Sequence, residues 1–124
     1  MRAKLDNINL SAKSPKQLRD FYVSVIGLQE LEYISQPPEL YMIDCKGCTL
    51  SIRDSANQQH NPGVEGVELG FEVDDIDALY NKIKHSTGHI VSEEIQTQWG
   101  LAFTAADPEG HRLNIYRFSN VNNG

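Results

Sequence analysis

Cys45 and Cys48 stand in a C-K-G-C, a spacing that suits thiol redox chemistry or half of a zinc site. A structural zinc site needs four ligands, and the sequence holds only 2 cysteines, so no such site is expected. A thioredoxin-like pair sits at a helix N-terminus, where the dipole lowers the thiol pKa. Here the pair flanks Lys46-Gly47 between YMID and TLSIRD, the pattern of a two-residue hairpin turn, and two reduced thiols are expected there. The 4 histidines are scattered: His60 in a polar stretch, His85 and His89 on either side of Gly88, and His111 beside a turn. Exposed or capping roles are expected of them rather than metal ligation. Tyr33, Tyr41, Trp99, Phe103 and Tyr116 can either fill a core or wall a pocket.

The elements that must position these groups are readable from periodicity. Ser14-Pro15-Lys16-Gln17 has the form of a helix start with a capping box, and Leu18, Phe21, Tyr22, Val25 and Ile26 recur at helical spacing before Gly27. A helix over 15 to about 26 is predicted. LDNINLSA precedes it as a strand, and LEYIS, LYMID and CTLSIRD follow as three more. After a polar stretch the pattern restarts: VELGFEV alternates, Asp74-Asp75 offer N-caps, and Ile76, Leu79, Tyr80 and Ile83 share a helical face. HIVSEEI, LAFTAA and RLNIYRF then read as strands, the last two joined by the turn Asp107-Pro108-Glu109-Gly110. Residues 7 and 68, and 18 and 79, align at a spacing of 61, and residues 51 and 114 at 63. The chain is therefore an α+β protein of two tandem βαβββ modules: module 1 over 4–54, a linker over 55–66, module 2 over 67–118 and a tail over 119–124. Neither half would bury much core alone, so the sheets are expected to associate in one domain as a curved cleft.

Strand alternation divides these residues into two faces. Ile8, Leu10, Leu50, Ile52, Leu69, Phe71, Val73, Leu113 and Ile115 share the phase expected to face the helices. Asn7, Asn9, Ser51, Arg53, Glu68, Gly70, Glu72, Asn114 and Tyr116 share the opposite, polar phase. An ordinary two-layer domain would also have a polar outer face; a curved sheet would make it a cleft lining, with Gly70 leaving room. Arg53, the one cation on that face, can pair with Glu68 or Glu72 or clamp a substrate carboxylate.

Together LDNINL, FYVSVIGLQ, GFEVDDIDALYNKI and DPEGHRLNIYRF resemble the vicinal oxygen chelate superfamily, which includes glyoxalase I, extradiol dioxygenases and bleomycin resistance proteins. The resemblance spans nearly the whole chain and is more specific for architecture than for chemistry. It implies metal-ligand positions at Asn7, Ser51, Glu68 and Asn114, where metal-binding relatives carry His, Gln or Glu. Only Glu68 is a strong ligand. Two amides and a hydroxyl do not offset the dehydration of a transition-metal ion, so no cofactor is expected beyond, at most, a weakly bound divalent metal. The resemblance also implies a homodimer.

Metal-independent binding of a small-molecule ligand is the expected function, with Asn7, Asn9, Ser51, Arg53, Glu72, Trp99, Asn114 and Tyr116 as ligand contacts. The alternatives are a metal-dependent lyase or isomerase of glyoxalase type, or a dioxygenase, with Glu68 as catalytic ligand or general base. A third is an interaction module with no functional pocket. With 17 acidic and 11 basic side chains the net charge is −6, which argues against nucleic acid as a partner. No stretch approaches the length of a membrane span and no signal-like N-terminus is present, so a cytoplasmic protein without a membrane partner is expected. The charge is lopsided: residues 1–62 hold 7 basic and 7 acidic groups, residues 63–124 hold 4 and 10. That adds a preference for a neutral or cationic ligand.

Overall fold

A computed structural model describes residues 3–57, 67–97 and 100–118. His60, Glu65, Trp99, the tail 119–124 and most of the expected linker lie outside the described residues. The chain divides into two units, Met1–Gly63 and Val64–Gly124.

In the first unit, β1 (Asn7–Ala12) leads into α1 (Pro15–Asp20), which continues as a π-helix over Phe21–Ile26. Pro15 occupies the first helical position, and the Ser14 carbonyl accepts the Leu18 N–H at 3.1 Å. The capping box read from Ser14 and Gln17 does not form through the Ser14 side chain. The helical stretch ends where expected, with Gly27 left-handed at φ 94° and Leu28 N–H donating to the Tyr22 carbonyl. Then come β2 (Gln29–Glu30), β3 (Leu40–Asp44) and β4 (Thr49–Asp54). Here LEYIS departs from expectation. Its centre, Glu32–Ile34, is a 3-10 turn rather than a strand. The Ser35 hydroxyl bonds the Leu31 carbonyl and accepts the Met42 N–H, so a side chain takes the place of a ladder bond.

The second unit repeats the plan with β5 (Glu68–Glu72), α2 (Ile76–Lys84), β6 (His89–Thr97), β7 (Gly100–Ala106) and β8 (Arg112–Phe118). The Asp75 carboxylate accepts the Ala78 N–H, as the capping pattern predicts. The sheet orders are β1-β4-β3-β2 and β5-β8-β7-β6, each with its first two strands parallel. The internal repeat is exact in register: Asn9 pairs with Ser51, and Gly70, 61 residues later, pairs with Asn114.

The apolar phase packs on the helices. Leu10, Leu18, Phe21, Tyr22, Tyr41, Ile43, Leu50 and Ile52 are buried in the first unit. Leu69, Ile76, Leu79, Ile83, Phe103, Leu113 and Ile115 are buried in the second. Burial of one such aliphatic or Phe side chain contributes about 1.5–3 kcal/mol, so these clusters set which face of each strand looks outward. Two aromatic residues thereby join the core: Arg19 stacks over the Tyr41 ring at 4.8 Å, and Phe103 meets Tyr80 edge-on. Tyr33 is exposed instead.

The β7–β8 turn holds a correction. His111 is not exposed; it is buried, with its Nδ1 2.8 Å from Asp107 Oδ2. The Asp107 carboxylate, also buried, accepts the N–H groups of Glu109 and His111. A carboxylate this well satisfied explains how a charged residue sits at the base of a turn. His111 Nε2 is buried and finds no hydrogen-bond partner among the described residues. No helix among the described residues is long and apolar enough to cross a membrane.

Candidate functional site

The outward faces of the two sheets carry most of the residues singled out from the sequence. On the first sheet they satisfy one another. Asn7 Oδ1 accepts the hydroxyls of Thr49 at 2.6 Å and Ser51 at 2.9 Å. Asn7 Nδ2 donates to Asn9 Oδ1, which also accepts Arg53 Nε at 3.3 Å. Ser51, expected on an open face, is in fact buried, with Met42 Sδ 3.2 Å from its hydroxyl. The parallel pairing of β1 with β4 sets Thr49 and Ser51 beside Asn7 and Asn9, so these short polar side chains bond across strands.

On the second sheet the polar face is open. A concavity of about 540 Å³ lies over β6, β7 and β8 and is lined by Ser92, Ile95, Thr97, Leu101, Ala102, Thr104, Asn114, Tyr116 and Arg117 among others. Antiparallel pairing places Ala102 opposite Tyr116 and Thr104 opposite Asn114, so these four share a face. Tyr116 lies close over Gly70: a Cβ there would stand 3.4 Å from the ring's Cε1. That is ordinary van der Waals contact, so Tyr116 packs against β5 at Gly70. The wall is apolar through Ile95, Leu101 and Ala102, with amide and hydroxyl groups from Asn114, Thr104, Ser92 and Thr97.

Of the expected contacts, Asn114 and Tyr116 line this concavity, while Asn7, Asn9, Ser51 and Arg53 belong to the network of the first unit. Glu72 is exposed at the end of β5 and outside the lining. Trp99 falls outside the described residues. Reading strands one at a time missed Ala102, Thr104, Leu101, Ser92, Ile95 and Thr97. The Asp107-Gly110 turn fixes the pairing of LAFTAA with RLNIYRF, and that register would have brought Ala102 and Thr104 to the face of Tyr116 and Asn114.

The positions that the resemblance assigns to a metal do not fit one. The two hydroxyls occupy the acceptor sites of Asn7 Oδ1, and Glu68 Oε2 lies 3.9 Å from Arg112 Nε. Glu68 therefore has a cation in its own unit. Among the described residues no three His, Cys, Asp or Glu side chains come together. In the first unit an amide and a hydroxyl, and in the second an amide and one carboxylate near Arg112, each supply too little charge for a transition metal.

Beyond the face, α2 and β6 carry an acidic belt. The Tyr80 hydroxyl donates to Glu93 Oε2 at 2.6 Å, and this bond to a carboxylate is the main cause that raises the phenol pKa. Burial and the nearby Asp77 raise the Glu94 carboxyl above its ordinary value, with Arg117 opposing.

Likeness to solved proteins follows the topology. The chain resembles a glyoxalase/bleomycin resistance protein/dioxygenase family enzyme from Burkholderia phytofirmans PsJN, with a TM-score of 0.79 and 20% identity over 94% of this chain and 100% of that one. It resembles TnmS3, an antibiotic binding protein from Streptomyces sp. CB03234, with a TM-score of 0.74 and 20% identity over 95% and 98%. It also resembles a lactoylglutathione lyase from Agrobacterium tumefaciens, with a TM-score of 0.70 and 18% identity over 94% of each chain. At these identities the likeness is one of fold. No curated protein matches the sequence. The description of one family does match, over residues 4–115, which takes in both βαβββ repeats, and the chain belongs to that family, the Glyoxalase/Bleomycin resistance protein/Dioxygenase superfamily.

Proposed function

We propose that the chain is a metal-independent small-molecule-binding protein whose ligand rests on the open face of the second sheet. The carrying observation is the concavity of about 540 Å³ above Tyr116 and Asn114, within the range of drug-sized ligand sites. Apolar walls with a few amide and hydroxyl groups suit a largely apolar molecule with two or three hydrogen-bonding groups. The acidic excess of the second half, with Glu68 and Glu72 on β5, favours a neutral or cationic one. The fold that the chain shares with an antibiotic binding protein supports this reading. The unsuitable donors at Asn7, Ser51 and Asn114, and the pairing of Glu68 with Arg112, support binding without a metal. We further propose a cytoplasmic homodimer as the working form, the form that the family resemblance implies; light scattering on the purified chain checks the mass.

Nile red (neutral), rhodamine 6G (cationic) and anilinonaphthalene sulfonate (anionic) test the site by fluorescence titration. The first two should bind, the anion about tenfold more weakly, and Tyr116→Ala should weaken binding by about tenfold, or ~1.4 kcal/mol. Equal binding by Tyr116→Ala and the unaltered chain would put the ligand elsewhere. Calorimetric titration with Ni²⁺, Zn²⁺, Mn²⁺ and Mg²⁺ tests metal independence: stoichiometric micromolar binding lost in Glu68→Gln would overturn it.

A further inference from the structure

We infer that Cys45 and Cys48 form a thiol–disulfide couple across the β3–β4 turn, a modification site that accepts oxidising equivalents from low-molecular-weight disulfides. The inference is independent of the ligand site on the second sheet. The antiparallel ladder of β3 and β4 ends at Asp44 and Thr49, and just beyond it Cys45 and Cys48 are joined by a 2.9 Å bond from the Cys45 N–H to the Cys48 carbonyl. The ends of a four-residue turn lie within about 7 Å of each other, and a disulfide spans Cα atoms ~4.4–6.8 Å apart. The turn is held in shape: Lys46 is left-handed at φ 61°, and its N–H donates to Asp44 Oδ1 at 3.0 Å. Both thiols are free and half-buried.

The two sulfurs are not equivalent. Burial, then the neighbouring Cys48 and Asp44, push the Cys45 thiol up to about 11. Cys48 is therefore the entry point. Its thiolate attacks one sulfur of the small disulfide, whose S–S bond breaks; the departing thiolate takes up the proton that Cys48 released. With Cys48 capped, one of the causes that push the Cys45 thiol up is removed. The Cys45 thiolate then attacks the Cys48 sulfur, and the second small thiol leaves with the Cys45 proton. Two protein thiols are oxidised and one disulfide is reduced to two thiols, so electrons and protons balance.

Oxidised glutathione and intact-mass spectrometry on the full chain test this. The unaltered protein should end two hydrogens lighter with no adduct, whereas Cys45→Ser should keep one glutathione on Cys48. Cys48→Ser should react at least about tenfold more slowly at pH 7, because Cys45 has little thiolate there. Closure in the unaltered chain should quicken by about tenfold per pH unit between 7 and 9. A stable adduct on the unaltered protein, thiols that stay free through the glutathione range, or bridges only between chains would each overturn the inference. Cys45→Ala and Cys48→Ala, with melting curves, separate lost chemistry from lost folding.

Discussion

Asn9 and Gly70 occupy the same place in the two halves, each on the first strand of its sheet and each opposite the residue that follows the repeat, Ser51 or Asn114. Around Asn9 the surface is closed by its own hydrogen bonds, from Asn7 and Arg53. Around Gly70 it is open, with an aromatic ring laid over the backbone and a concavity beyond it. The tight turns differ in the same manner. The β7–β8 turn is built on a buried carboxylate that accepts three donors, the β3–β4 turn on an Asp44 bond at the surface. The two halves share a topology but differ in side-chain chemistry: the polar face of the first is bonded across its strands, and a concavity lies over that of the second.

The turns give the largest contrast. Asp107→Ala strands two backbone N–H groups and the His111 ring in a buried place, and should cost about 3–5 kcal/mol in urea unfolding. Asp44→Ala frees one exposed N–H and should cost about 1 kcal/mol or less. Equal losses would show that the buried dyad is no more important to its unit than a surface turn. Next in size is the exchange at the paired positions. The backbone at Gly70 is not left-handed, so valine fits the strand, and its methyls would extend from a Cβ already 3.4 Å from the Tyr116 ring and crowd it. Gly70→Val should weaken Nile red binding by about tenfold or more, ~1.4 kcal/mol, while Asn9→Val leaves it within about twofold.

Both sheets were legible in the sequence because apolar alternation and turn chemistry are local signals, and the residue-61 repeat checked one half against the other. LEYIS failed because five residues of apolar and polar alternation fit a strand and a turn alike, and the Ser35 hydroxyl that decides the matter bonds Met42 far along the chain. His111 was misplaced for a related reason. Its partner is only four residues away, but burial of both groups depends on how the β7–β8 turn packs. Of the candidate site, Asn114 and Tyr116 were visible. The remainder needed the register of β7 on β8, and the self-satisfied bonding of Asn7 and Ser51 needed the parallel pairing of β1 with β4, which alternation within one strand does not contain.

Ser51 and Asn114 sharpen the contrast at smaller scale. Ser51→Ala removes a buried hydroxyl bonded to Asn7 and should cost about 1 kcal/mol of stability with no change in Nile red affinity. Asn114→Ala should do the reverse: a stability loss below about 0.5 kcal/mol, with affinity down about threefold to tenfold. If both act on stability alone, the second face is no more a binding surface than the first.

The smallest expected effects are electrostatic, and they have opposite signs in the two units. Burial works to raise the Asp20 carboxyl, but hydrogen bonds from Lys16 and Arg19 hold it below its ordinary 3.8. Its contribution to stability is present above pH 3.8 and is lost as pH falls through the lower folded value. Glu94, half-buried near Asp77, lies above its ordinary 4.5, so its contribution is full below pH 4.5 and is lost as pH rises through the higher folded value. Thermal melts from pH 3 to 7 separate the two. Asp20→Asn should lower Tm by about a degree at neutral pH, and Glu94→Gln should raise it by a similar amount. Each difference should shrink toward the acid end, because there the native carboxyls become as neutral as the amides that replace them. A Glu94→Gln protein that melts lower than the unaltered chain at pH 7 would mean that Arg117 outweighs Asp77, and that the second unit gains from this charge as the first gains from Asp20.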